Sequence, residues 1–335
     1  MMGAPYKRIG LRECLEAARS HPHYQSAVAE GTGRGIAAGY WINAGGQSSA
    51  TLNVSADGHV ALLTGSPDIG GSRASMALMA AEVLGIPIET IHPQVVATDA
   101  VGYCDVTGGS RTTLATGQAV IQAADELVAE LCRRAALDWD VPESDVEWSE
   151  GAAHHGEQSL SFEDFASRAN GMGGPLTVSS SLNSTSASPG FGVHLCDAEV
   201  DKETGRTTIT RYTVVQDAGK AIHPAYVEGQ MQGGAAQGIG WALNEEYVYN
   251  DQGVLENPGF LDYRIPVASD LPFIDTVIVE VPNPLHPMGV KGVGEVPIVP
   301  PMPAVAQAVF DSAQIRVMDL PLSPAKVVAA IVEDT

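Results

Sequence analysis

The chain has 335 residues, 44% of them hydrophobic, and its 40 acids against 18 bases give a net charge of −22. That is enough chain for two domains or one large α/β unit with a full core. The acid excess excludes a nucleic-acid surface, which needs basic charge, and no apolar run reaches the ~18 residues of a membrane helix.

Met1 to Glu13 carries no apolar signal core, so the expected compartment is the cytoplasm. Leu11, Cys14, Leu15 and Ala18 fall at helical spacing and predict a short leading helix. Thr51 to Thr64 alternates around Asp57-Gly58, a hairpin signal. Ser72 to Leu84 reads as a helix stopped by Gly85, with Pro87 beyond. Gln94 to Thr98 reads as a strand, Thr113 to Ala136 as a long alanine-rich helix, and Val146 to Trp148 as a short strand. His154-His155 lies in a polar stretch and reads as a solvated loop rather than a metal site. Ser161 is expected to cap a helix over Phe162 to Arg168, with Asp164 in its first turn. Gly171 to Gly190, rich in Gly, Ser and Thr, reads by composition as a flexible linker at a domain boundary. A second hairpin is expected from His194 to Val200 and Arg206 to Val215, about Thr204-Gly205. A helix from about Ala225 to Leu243, a strand from Thr276 to Val281 and a helix from about Pro303 to Phe310 complete the series. The fold class is therefore α+β. The divisions expected are an N-terminal extension over 1–30 and two mixed α/β subdomains over 31–175 and 176–335. Cys14, Cys104, Cys132 and Cys196 are widely spaced and form no C-x-x-C, so reduced thiols are expected rather than zinc or iron–sulfur ligands.

Three features carry chemistry. Gly-Gly-Ser-Arg occurs twice, at Gly70-Gly71-Ser72-Arg73 and at Gly108-Gly109-Ser110-Arg111, each time before a predicted helix and after an acid, Asp68 or Asp105. A helix start offers unpaired N–H groups to an anion, and Arg adds a fork suited to phosphate. Ordinary helix capping explains either copy alone; two copies make a large bound anion more plausible. The Gly-Lys-Ser/Thr ending of a P-loop is absent. The second feature is the glycine-rich helix with Gly233, Gly234, Gly238 and Gly240, which suits close approach of a neighbouring element or a ligand. The third is Glu295, the only acid between Pro282 and Pro301, among Gly, Pro and aliphatic residues. A carboxylate against apolar walls takes a proton more readily than one in water. A surface acid at a helix start fits the composition equally well.

Gly292-Val-Gly-Glu-Val-Pro297 before an alanine-rich helix resembles the signature of the xanthine dehydrogenase/aldehyde oxidoreductase family of molybdenum hydroxylases. Gln216-Asp-Ala-Gly-Lys-Ala-Ile-His-Pro224 with the glycine-rich helix after it, Gly108 to Thr113 and Gly65 to Arg73 extend the resemblance, in the family's order, over most of the chain. The resemblance implies a molybdenum–molybdopterin cofactor, in its cytosine dinucleotide form, with no side-chain ligand to the metal. It implies that Glu295 is the active-site base. It places Gly70, Gly71, Ser72, Arg73, Gly109, Ser110, Arg111, Thr112, Thr113, Ser186, Ala187, Ser188, Gln230, Lys291, Gly292, Val293 and Gly294 along the cofactor.

Two departures stand out. The family's first glycine-rich segment commonly ends in Gly-Gln-Gly, and Gly70-Gly71-Ser72 lacks that Gln. The family's molybdenum subunit is also far longer than this chain. A nicotinate-dehydrogenase-like split subunit accounts for the length, with this chain as the C-terminal half. The expected reaction is hydroxylation of an N-heteroaromatic compound or oxidation of an aldehyde, with water as oxygen source. The expected partners are a second molybdopterin-binding chain, an iron–sulfur subunit with [2Fe-2S] and an FAD subunit. The rivals are a non-catalytic scaffold or assembly subunit and a nucleotide-binding enzyme.

Overall fold

The computed structural model describes residues 6–185 and 188–333. In chain order these form α1 (Leu11–Ser20), α2 (Pro22–Gln25), β1 (Thr32–Ile42), β2 (Gly46–Val54), β3 (Val60–Thr64), α3 (Ser72–Leu84), β4 (Ile91–Val95), α4 (Thr98–Val101), α5 (Gly117–Trp139), β5 (Glu147–Ser149), β6 (Ala152–His155), β7 (Gln158–Ser161), α6 (Phe162–Arg168), β8 (Leu176–Ser184), β9 (Pro189–Val200), β10 (Thr207–Asp217), α7 (Pro224–Leu243), β11 (Ile274–Val279), α8 (Pro301–Ala313) and α9 (Pro324–Glu333). The architecture is α+β, as the sequence implies, and among the described residues no helix is long and apolar enough to cross a membrane. Strand pairing divides the chain along lines that no linear halving offers. One unit comprises 1–42, 188–284 and 291–335; the other comprises 43–187 and 285–290.

The first unit is built on a sheet in the order β1-β9-β10-β11, antiparallel except for the β10–β11 pair. The β9–β10 hairpin turns at Thr204-Gly205 as expected. β1 is not foreseen in the sequence, because its Thr-Gly-Arg-Gly-Ile-Ala-Ala-Gly run lacks an apolar alternation. Its glycines have a different purpose: a Cβ at Gly33 or Gly35 would collide with the backbone of α8 at Ala308 or Ala304. α8 thus lies directly on β1 and helps enclose a core of Tyr212, Val214, Met231, Ile239, Val305 and their neighbours. On the other side, Cys14 and Ala18 of α1 cover Val193, Leu195 and Val215. Asp197 ties the N-terminal segment down. It accepts Arg34 Nε at 2.7 Å and Nη2 at 2.8 Å, and lies 3.1 Å from His23 Nε2, whose ring is fully buried. Burial alone would raise the Asp197 carboxyl, but the hydrogen bonds from Arg34 and His23 outweigh it and bring it down to about 2.

The second unit has a sheet in the order β4-β3-β2-β8, packed by α3 and α5, and a small antiparallel sheet of β5, β6 and β7. The Asp57-Gly58 hairpin, the α3 stop at Gly85 and the Ser161 cap stand where the sequence puts them. Ser161 and Asp164 form a reciprocal capping box. The linker reading of Gly171 to Gly190 is overturned over Leu176–Ser184, which is a strand. β8 pairs with β2 along its whole length, from Gly46↔Ser184 to Val54↔Leu176. Composition misleads there because the serines bond across the sheet: Ser181 Oγ to Ser49 Oγ at 2.9 Å and Ser179 Oγ to Thr51 Oγ1 at 2.8 Å. His154-His155 is likewise strand rather than loop, each ring bonded to a backbone carbonyl. The strand expected from Gln94 lies earlier, at Ile91, with Pro93 tolerated because β4 is an edge. The four thiols are free, as expected.

Between Asn244 and Phe273 the chain has little regular structure beyond a turn at Ala268–Asp270 and a Tyr249↔Leu255 bridge. Phe260 and Leu261 are 99% and 98% exposed there, and Phe273 81%.

Candidate active and cofactor site

In the first unit, Gln216 and Asp217 end β10 inside the protein, both fully buried. Asp217 Oδ2 meets Lys291 Nζ at 2.5 Å, with both side chains at zero exposure. Asp217 Oδ1 accepts the Gly219 and Val281 N–H groups at 3.0 and 3.3 Å. Burial pushes the Asp217 carboxyl up, against the opposing pull of Lys291. Gln216 Nε2 donates to the Val293 carbonyl at 2.9 Å, while its buried Oε1 has no hydrogen-bond partner among the described residues. Two residues on, Glu295 is half-buried and opens a 3-10 turn over Val296–Ile298, with Ile298 N–H donating to its carbonyl at 3.2 Å. Val296 and Pro297 are buried.

α7 packs on this loop through missing side chains. A Cβ on Gly234 would strike Pro297, and one on Gly238 would crowd the Ile298 carbonyl and Pro301. Gly229 and Gly233, one helical turn apart, have nothing within 4 Å of a Cβ position. Between them is Gln230, whose Oε1 lies 2.9 Å from where Gly294 would carry a Cβ. Bare backbone and a carboxamide thus meet beside the Gly292–Gly294 turn.

In the second unit the two Gly-Gly-Ser-Arg copies diverge. At the first, Gly70 and Gly71 take left-handed φ values of 65° and 79°, and Asp68 caps α3 by accepting Arg73 N–H at 3.0 Å and Nε at 2.7 Å. At the second, Arg111 is 2% exposed and donates to the carbonyls of Gly45, Asp105 and Gln47 and to Ser48 Oγ. Its guanidinium organises the loop and does not face outward as a phosphate fork. Burial lowers its pKa. Gly109 and Ser110 both take left-handed φ, 72° and 53°, and Gly108 has nothing within 4 Å of a Cβ position. Thr112 opens a single π turn that continues at Gly117 as α5, so the long helix starts later than expected. Thr116 Oγ1 holds Ser66 Oγ at 2.8 Å, joining the two glycine-rich loops.

The divergence sets a measurable contrast. Arg73→Ala breaks an ion pair whose arginine is half exposed and costs less than about 1 kcal/mol. Arg111→Ala strips several buried carbonyls of their donor and costs about 3 kcal/mol or more. Urea unfolding of both variants measures the difference; equal losses would refute the clamp assigned to Arg111.

Residues 12–272 match the profile of the molybdopterin cofactor-binding domain family. The chain belongs to this family. It is 30% identical to the xanthine dehydrogenase molybdenum-binding subunit of Escherichia coli O157:H7 over 95% of its own length and 46% of that protein's. It is 32% identical to the nicotine 6-hydroxylase large subunit of Paenarthrobacter nicotinovorans over 84% of its length and 36% of that protein's. The fold also matches quinoline 2-oxidoreductase from Pseudomonas putida 86, with a TM-score of 0.81 and 25% identity, covering 96% of this chain and 43% of that one. The chain thus spans less than half the length of the relatives it matches.

The residues of this molybdopterin-binding chain fit such a cofactor. In the first unit the helix backbone at Gly229 and Gly233 beside Gln230 is open, and in the second the turn at Gly108 is open; each leaves room for a polar group that a side chain would obstruct. The structure brings Gln230, Gly294 and the Glu295 loop together in one unit, and the Gly70 and Gly109 turns together in the other. Lys291 is not an open donor to a ligand, since its ammonium is buried on Asp217. Ser188 is buried ahead of β9, while Ser186 and Ala187 lie outside the described residues. Sequence reasoning gave no role to Gln216 and Asp217. The available signal was two polar residues ending an aliphatic strand, inside a motif already singled out.

Proposed function

We propose that this chain is the C-terminal half of a divided molybdenum hydroxylase subunit. It hydroxylates an N-heteroaromatic compound of the nicotinate type, or oxidises an aldehyde, with water as the oxygen source. The observation that carries this reading is the match to the molybdopterin cofactor-binding domain family over residues 12–272. The names of those relatives favour a ring substrate: nicotine 6-hydroxylase and quinoline 2-oxidoreductase act on N-heterocycles, while an aldehyde oxidoreductase subunit of Escherichia coli is 29% identical.

The cofactor, in its cytosine dinucleotide form, supplies a two-electron acceptor when bound. Gln230, Ser188 and the backbone of Gly292, Val293 and Gly294 would hold it. Gly70 to Arg73 and Gly109 to Thr113 are further cofactor contacts, chiefly through backbone. Glu295 takes the proton from the water that adds to the substrate carbon. Buried Val296 and Pro297, directly after Glu295 in the chain, anchor its C-terminal side.

A second molybdopterin-binding chain completes the pocket, and iron–sulfur and FAD subunits carry electrons away, in the cytoplasm. The exposed Phe260, Leu261 and Phe273 support a partner, since apolar surface of this kind marks association sites. Expressed alone, the chain is expected to bind little molybdenum and to aggregate. Co-expressed with a chain resembling the front half of its relatives, it is expected to form a stable, metal-loaded hetero-oligomer. Light scattering and molybdenum analysis read both states. A monodisperse, metal-loaded and active preparation of this chain by itself would refute the divided-subunit reading.

A further inference from the structure

Glu295 is in a turn whose own sequence, Gly292-Val293-Gly294, has little intrinsic preference for one shape. Such a turn needs anchors if its carboxylate is to hold one position. The end of β10 supplies two. Asp217 binds the side chain of Lys291 at 2.5 Å, and Gln216 binds the main chain of Val293 at 2.9 Å. The anchored positions alternate, 291 and 293, and the next in that series is 295. On the far side, Val296 closes on Gly190, where a Cβ would meet its Cγ2, and Pro297 closes on Gly234. Glu295 is therefore gripped from both directions along the chain.

A buried ion pair is a weak source of net stability, because desolvating two charges offsets most of their attraction. Fixing a single arrangement is the use that remains. Gly10, at the start of α1, has no room for a Cβ against the Asp217 carboxyl, so the pair is also closed from that side.

We infer that Lys291, Asp217 and Gln216 are positioning residues for Glu295, acting through the Gly292–Gly294 turn and not through contact with cofactor or substrate. The inference rests on the functional reading above and deepens it.

The test uses the assembled holo complex with Gln216→Leu and Lys291→Met. Gln216→Leu removes one main-chain anchor and keeps the bulk. Lys291→Met removes the charge, and the Asp217 carboxyl, already raised by burial, can become neutral. Both variants are expected to keep molybdenum content and KM near wild type and to lose about 10²-fold in kcat, the scale of a 1 Å misplacement. Amide exchange across residues 292–296 is expected to quicken about tenfold, a readout independent of turnover. Residual turnover of Glu295→Gln is expected to fall no further when Gln216→Leu is added, because the two act as a unit. Wild-type kcat in Gln216→Leu, or faster exchange with unchanged kcat in both variants, overturns the positioning role while Glu295→Gln remains impaired. Full turnover in Glu295→Gln itself takes the functional reading and this inference down together.

Discussion

Glu295→Gln is expected to lower kcat by about 10²–10⁴-fold, the range general-base catalysis contributes, with molybdenum content unchanged. Gln occupies nearly the same volume as the half-buried Glu295 side chain at the start of the Val296–Ile298 turn. It cannot accept a proton. The loss therefore falls on kcat and on kcat/KM equally, with KM little altered, the pattern of an interaction made only in the transition state. Glu295→Asp, which retracts the carboxylate by one methylene, should fall between the two. Steady-state kinetics with metal quantification of the same samples decides the matter. Wild-type turnover in fully loaded Glu295→Gln removes the catalytic assignment.

Asp197→Ala is expected to produce the largest loss of stability, about 3–5 kcal/mol, since it leaves charge buried without its counterpart. Arg34 is 11% exposed at its side chain and His23 fully buried, and both face this carboxylate. The same group gives a pH signature. Its folded pKa of about 2 lies below the ordinary 3.8, so its contribution is complete above about 3.8 and is lost as pH falls through about 2. Across that window the wild type should lose about 2 kcal/mol that Asp197→Asn does not, because Asn has no proton to gain. Denaturant midpoints for the two proteins at pH 2 to 5 measure the difference. Parallel curves would show that Arg34 and His23 do not depend on this carboxylate.

Local signals in the sequence proved reliable where one residue dictates one geometry. Gly85 in the left-handed region ends α3, and Ser161 with Asp164 starts α6. β1 and β8 were not legible, for related reasons. β1 has Gly33 and Gly35 where α8 lies against its backbone, and β8 has Ser179 and Ser181 where they bond to Thr51 and Ser49 of β2. In both, the partner element determines the residues, and no window of a single strand contains the partner. The site divides in the same way. Glu295 is visible as a lone acid among apolar residues, whereas Arg111 reads as a phosphate fork until the carbonyls of Gly45, Gln47 and Asp105 are placed around it.

The register of β1 on β9 has a consequence for how the chain folds. Ile42 and Pro189 are paired neighbours, yet roughly 150 residues separate them, and the entropy of closing a loop grows with its length. Residues 43–187 shorten that search. Once β2 and β8 are zipped, Gly46 and Ser184 face each other, and only a few residues on either side remain before Ile42 and Pro189. The intervening unit acts as a clip on its host: its collapse turns a remote strand pairing into a local one. Early protection of β2 and β8 amides, followed by β1 and β9, is the order this connectivity favours in pulse-labelled refolding.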